Sequence, residues 1–233
     1  MIEDLLAGNP VIPVVVVDSA EDGRHVGEAL LEGGISTAEV TFRTPAAEDA
    51  IRAMSRIPGL VVGAGTVINV RQVDNAVAAG ARYVVSPGFS ADIVRHCTTR
   101  GIPVLPACTD GSWIMAALDL GVRTVKFFPA EVLGGASALA ALSAPFPGLG
   151  FVPTGGVGTA NLADYLSLPC VPACGGSWMV PASAIRNGKW NEITRLSREA
   201  LVIASSVCGN GAQKPAGLDA AGAVRRQSDL RHR

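Results

Sequence analysis

Long apolar runs are missing from this sequence, although 48% of its 233 residues are hydrophobic and its mean hydropathy is +0.35. The two longest, residues 11–17 and 171–180, are broken by proline or glycine. Neither approaches the roughly 20 consecutive apolar residues of a membrane-spanning helix, so no membrane association is expected. The opening MIEDLLAGNP carries acid where a secretory leader carries base, and the protein is expected in the cytoplasm. Charge imbalance is missing too: 19 Lys and Arg stand against 20 Asp and Glu, a net charge of −1. That excludes the broad electrostatic footprint of a nucleic-acid or anionic-lipid binder. The basic stretch RRQSDLRHR at the end is short and holds an Asp, and reads as a solvated tail. Histidine is scarce and scattered (His25, His96, His232), so Cys170 and Cys174, spaced C-x₃-C, lack further ligands for zinc nearby. The five cysteines, an odd number without a sign of secretion, are read as reduced thiols. Neither a metal nor a cofactor is expected.

High hydropathy without a spanning helix fits a parallel sheet buried on both faces. Strand-like runs fall at residues 11–17, 37–42, 60–64, 82–86, 102–106, 122–127, 151–153 and 171–174. Helix-like stretches at 20–32, 46–56, 70–79, 91–100, 112–120, 136–142 and 160–166 separate them, and two more, 181–185 and 189–205, follow the last. Glycines trail many of these helices, where the left-handed C′ position favours a residue without Cβ. Eight strand–helix units at even spacing indicate an α/β protein, a (β/α)8 barrel of the TIM type, as a single domain over residues 1–206. A doubly wound open sheet is the alternative. Residues 2–6 are expected to form a short helix closing the bottom of the barrel. Residues 207–233 lack a sustained apolar face and are expected to be a poorly ordered tail.

In such barrels the reactive groups stand at the C-terminal ends of strands. The second strand ends in Glu39-Val40-Thr41-Phe42-Arg43, and alternation puts Glu39, Thr41 and Arg43 on one face. If Val40 and Phe42 pack outward, an acid and a base turn inward, which is costly unless they are paired or functional. The third and fourth strands end in Gly63-Ala64-Gly65-Thr66 and Ser86-Pro87-Gly88, weaker signals by themselves. The sixth carries the most telling residue. Only three of the 19 basic residues are lysine, and Lys126 alone lies in an apolar strand, VRTVKFFP. Burying an ammonium disfavours its charged form, and a neutral lysine attacks carbonyls. The same lysine would equally serve as a structural ion-pair partner of Glu39 or Glu131. After the seventh and eighth strands come Pro153-Thr154-Gly155-Gly156 and Gly175-Gly176-Ser177. Glycine pairs at this position suit a phosphate, whose oxygens backbone N–H groups can reach.

These motifs together resemble a known family. AEVTFRT (38–44), VGAGTV (62–67), SPG (86–88), VKFFPAE (125–131), PTGGV (153–157) and GGSWMVP (175–181) are similar, in that order, to 2-dehydro-3-deoxy-6-phosphogluconate aldolases, which also cleave 4-hydroxy-2-oxoglutarate. The resemblance covers residues 1–206. It implies a metal-free, homotrimeric class I aldolase acting on a 2-oxo acid that releases a phosphorylated aldehyde. It further implies that Lys126 forms the Schiff base and that Glu39 is the acid/base. Arg43 and Thr66 match carboxylate-binding positions, and Pro87 and Phe128 match pocket walls. Thr154, Gly155, Gly156, Gly176 and Ser177 match the region holding the distal phosphate.

One loop departs from the family. After the fifth strand, Ala107 stands where glycine is usual and Trp113 where glutamate is expected, which puts the aldehyde side of the pocket in question. Cys108 on this loop is a candidate reactive thiol, with packing as the plainer role. Two other readings use the same phosphate loops. An isomerase or epimerase would want paired acid/base residues and no lone buried lysine. A non-catalytic phosphosugar-binding protein would need neither Lys126 nor Glu39.

Overall fold

The computed structural model describes residues 2–208. The expected tail lies outside the described residues from 209 onward, while residues 207 and 208 belong to the last helix rather than to a tail. The chain opens with α1 (Ile2–Leu6), followed by β1 (Val11–Val15), α2 (Ala20–Glu32), β2 (Thr37–Thr41), α3 (Ala47–Met54) and β3 (Val61–Gly65). Next come α4 (Val70–Ala79), β4 (Tyr83–Val85), α5 (Ala91–Thr99), β5 (Val104–Leu105), α6 (Gly111–Asp119) and β6 (Thr124–Phe127). The chain continues through α7 (Gly135–Ser143), β7 (Gly150–Pro153), α8 (Leu162–Leu166), β8 (Cys174–Gly176), α9 (Ala182–Arg186) and α10 (Trp190–Cys208). Four of the helices start on a side-chain cap, Ser19, Asn69, Ser90 or Asp110, each accepting from an N–H that the first helical turn leaves unpaired.

All pairings are parallel. Six strands form a curled sheet in the order β5-β4-β3-β2-β1-β8, and β6 and β7 pair separately. Continuous eight-strand closure, the sequence expectation, is therefore replaced by six strands plus two. The two parts meet through isolated parallel bridges, Ala107 with Lys126 and Thr154 with Gly175. Proline accounts for the short joints. Pro103 and Pro106 bracket β5, which is two residues long, and a proline has no N–H to give a ladder. Pro172 likewise keeps Val171 out of β8. That strand begins at Cys174 instead, with Ile12 paired to Gly175 and Pro13 to Gly176. The second glycine pair thus lies inside the strand and not in the loop after it.

Alternation sorts the strand residues into two cores. Val15, Val40, Val62, Val84, Val125 and Phe151 face outward and pack under the helices. Ile12, Tyr83, Val85, Leu105, Val152 and Ala173 face inward, and Ile2 and Leu6 of α1 join them from below. The short first helix therefore closes the N-terminal end, and Thr124 Oγ1 donates to Glu3 Oε1 there at 2.7 Å. The opposite end, where the βα loops gather, is left for the site. No helix among the described residues is long and apolar enough to cross a membrane.

Candidate active site

Lys126 is the third residue of β6, so the alternation that sends Val125 and Phe127 to the helix layer turns it inward. Glu39, central in β2, turns inward by the same rule. Their side chains meet across the interior: Lys126 Nζ donates to Glu39 Oε1 at 3.1 Å and to Oε2 at 3.3 Å. Only 7% of the lysine side chain and 3% of the glutamate side chain reach solvent. Two opposite charges removed from water are tolerable only as partners, and each makes the other's burial possible. The chain thus places a primary amine and a carboxylate in direct contact. Of the two acids that could partner the lysine, Glu39 does so. Glu131 accepts instead from the Tyr165 hydroxyl. The Phe128 ring lies with its centroid 5.4 Å from Nζ, a weak second contact for the cation.

Small residues make room for this pair. A Cβ on Gly65 would stand 2.3 Å from Glu39 Oε1, and one on Gly63 would stand 2.2 Å from the Tyr83 ring. The Gly63-Ala64-Gly65 run therefore clears space on the inward side of β3 for the carboxylate and the phenol beneath it. Tyr83 is fully buried, its hydroxyl 3.1 Å from Thr37 Oγ1, and burial pushes its phenol far above the usual range. Tyr83 and Thr37 form an uncharged polar floor under the ion pair, which sequence reading did not single out.

The remaining candidates spread over the rim. Arg43 corrects an expectation: β2 ends at Thr41, so Arg43 sits in the following turn, exposed, and forms no ion pair among the described residues. The hydroxyl of Thr41 is bonded to the Val15 carbonyl, and the Phe42 N–H to the Gly65 carbonyl, before the chain turns away. Thr66, half-buried just past β3, holds φ at 57°, a left-handed conformation that a β-branched residue adopts only under constraint. Pro87 is exposed in the loop after β4. Thr154 is buried at the bridge to Gly175, and Gly155 and Gly156 follow it at φ 94° and 82°. Gly176 closes β8 under the Trp178 ring, and Ser177 is exposed beyond it. The N–H groups of Gly156 and Ser177 donate to nothing among the described residues. The structure brings Lys126, Glu39 and Phe128 together and sets the other eight on the same end of the strands, with no side-chain hydrogen bond or ion pair to the lysine among the described residues.

The divergent loop after β5 stays at the rim. Ala107 pairs with Lys126, and Asp110 caps α6. Trp113, 49% exposed, stacks on Phe89 with centroids 5.5 Å apart. Cys108 is buried, and burial pushes its thiol up to about 12, which disfavours the reactive thiolate.

A model of an aldolase family described as KDPG and KHG aldolase matches residues 2–196. The chain belongs to this family. Among aldolases of known name, the 2-dehydro-3-deoxy-phosphogluconate aldolase of Treponema pallidum is 47% identical over 194 residues, 83% of this chain and 92% of the relative. The KHG/KDPG aldolase of Escherichia coli K12 is 44% identical over 200 residues, 85% and 94% of the two chains. A solved KDPG aldolase from Legionella pneumophila, holding pyruvate as a covalent carbinolamine intermediate, superposes with a TM-score of 0.83. It is 41% identical and covers 86% of this chain and 98% of its own.

Proposed function

We propose that this aldolase cleaves 2-dehydro-3-deoxy-6-phosphogluconate to pyruvate and glyceraldehyde 3-phosphate, and 4-hydroxy-2-oxoglutarate to pyruvate and glyoxylate, through a Schiff base on Lys126. The observation that carries the proposal is the contact between Lys126 Nζ and Glu39 in a nearly closed interior. An isomerase has no use for that lysine, and a binding protein needs neither residue. The carbinolamine trapped in the Legionella relative supports the same first step here.

The chemistry follows from the pair. Transfer of a proton from the ammonium to Glu39 frees the amine, which attacks C2 of the 2-oxo acid. Glu39 returns the proton to the departing hydroxyl, water leaves, and an iminium remains. Glu39, again a carboxylate, accepts the proton of the C4 hydroxyl, and the C3–C4 electrons move into the iminium. The aldehyde departs and an enamine stays on Lys126. Protonation at C3 and hydrolysis release pyruvate and restore the amine. Arg43 and the Thr66 hydroxyl would hold the C1 carboxylate, and Pro87 and Phe128 would wall the pocket. Thr154, Gly155, Gly156, Gly176 and Ser177 would receive the distal phosphate, supported by the free N–H groups of Gly156 and Ser177.

The eight strands are read as one (β/α)8 barrel, with the two isolated bridges as its joints, forming a single domain over residues 1–206. A cytoplasmic homotrimer is the assembly proposed. Ile68, Met115 and Val132, exposed at 63%, 61% and 84%, join Trp113 on segments that follow β3, β5 and β6, an apolar rim suited to a subunit contact. Incubation with pyruvate and borohydride tests the chemistry. A single pyruvyl adduct should form and map to Lys126; no adduct, or one elsewhere, sinks the proposal.

A further inference from the structure

The loops after β6 and β7 are tied together by contacts that the lysine chemistry does not use. Ala130 N–H donates to the Thr154 carbonyl at 2.8 Å, and Glu131 N–H to the Gly155 carbonyl at 3.1 Å. The Glu131 side chain then folds over Gly156 so closely that a Cβ there would lie 2.5 Å from its Cγ. Its carboxylate is held in turn by the hydroxyl of Tyr165, a fully buried residue of α8. Burial first, and the Glu131 carboxylate next, hold that phenol far above its usual range, so it stays a donor at any working pH. From the other side, Asn161 Nδ2 donates to the Gly156 carbonyl at 3.1 Å, and its Oδ1 accepts from Gly158 N–H at 2.8 Å.

Gly156 is thereby covered at its Cα and bonded at its carbonyl. Its N–H is the polar group left over. A pair of glycines at positive φ has wide conformational freedom, and a loop that must be ordered by its ligand weakens binding by the cost of ordering. A carboxylate is a poor neighbour for a phosphate, so Glu131 makes sense here through its packing and its bond to Tyr165 rather than as a ligand.

We infer that Glu131, Tyr165 and Asn161 are positioning residues that pre-set the Gly155–Gly156 turn to receive the distal phosphate of the substrate. The inference rests on the proposed reading of that turn as the phosphate site. It is tested by steady-state kinetics of the wild type and the variants Tyr165→Phe, Asn161→Ala, Glu131→Ala and Glu131→Gln on 2-dehydro-3-deoxy-6-phosphogluconate and its unphosphorylated counterpart. Tyr165→Phe, Asn161→Ala and Glu131→Ala should raise KM for the phosphorylated aldol by about fivefold or more while kcat moves less than about threefold. The preference in kcat/KM for the phosphorylated aldol should fall with it. Glu131→Gln, which keeps the methylenes over Gly156 and an acceptor for Tyr165, should hold the wild-type KM. If Glu131→Ala does not fold, Tyr165→Phe, which loses one hydroxyl, decides. A wild-type preference in the folded variants, or an equal loss on both substrates, overturns the inference while the phosphate reading stands. A wild type without preference removes the phosphate reading and this inference with it. Borohydride trapping at Lys126 then tells separately whether the aldolase chemistry survives.

Discussion

An ammonium and a carboxylate 3.1 Å apart, both shut off from solvent, set the terms at the scale of single residues. Removing one partner strands the other. Lys126→Met should abolish turnover and also destabilise the fold by about 3–5 kcal/mol, because Glu39 is left as an unpaired buried charge. The double variant Lys126→Met/Glu39→Leu, with no charge to strand, should recover most of that loss in urea unfolding; a double variant weaker than either single would count against the ion pair. Gly65 offers a subtler probe. Its added Cβ in Gly65→Ala would lie 2.3 Å from Glu39 Oε1, so the carboxylate must swing away from Lys126. The expected result is a loss in kcat of about tenfold or more, in the range that misplacing an acid/base group costs, with the circular dichroism of the wild type. Lys126 could be singled out in the sequence because lysine is rare and this one stands among apolar residues. Its choice of Glu39 over Glu131 could not, since that depends on which strand ends face each other.

Elements were legible where a period and a stop signal coincide. α2 and α4 fall on the residues read from the sequence, each between a side-chain cap and a glycine. Short strands were read too long, since β-branched residues continue past the point where proline ends the pairing, as at β5. Outside the site, α4 and α5 are linked by Asp74, whose Oδ1 lies 2.8 Å from His96 Nε2 and which also pairs with Arg100. The bond from His96, and secondarily Arg100, lower the Asp74 carboxyl below its ordinary 3.8. A depressed acid stabilises the fold above its unfolded value and loses that contribution as the pH falls through its folded value. Asp74→Asn should therefore melt lower than wild type at neutral pH, and the gap should close as the pH falls through the lowered folded value. The gap will be small, because the pair is half-exposed. A constant gap across the pH range would show that the carboxylate's charge is not what links the helices.

For the whole molecule, the closed end and the open end have different chemistry. α1 seals one with Ile2 and Leu6, and the βα loops carry the candidate residues at the other. Ile68, Met115 and Val132 are the exposed apolar side chains on which the proposed subunit contact rests. Sedimentation velocity at micromolar concentration should give a single species of three chains. Val132→Asp and Met115→Asp, two charges placed in the proposed contact, should shift it toward monomer. A monomeric wild type would end the proposal for this rim.

The sequence by itself determined the alternation of strands and helices, the shared face of Glu39 and Thr41, and the one lysine that stands in an apolar strand. These are local properties: a period, a cap, a rare residue type. Only the tertiary structure decided that residues 87 positions apart in the chain would share a bond, since which inward side chains touch depends on the curvature of the sheet. It also moved Arg43 out of the strand and into the turn, where Thr41 and Phe42 spend their bonds on β1 and β3. And it revealed the Glu131–Tyr165 tie, which joins the loop after β6 to α8, a link that no spacing along the chain foretells.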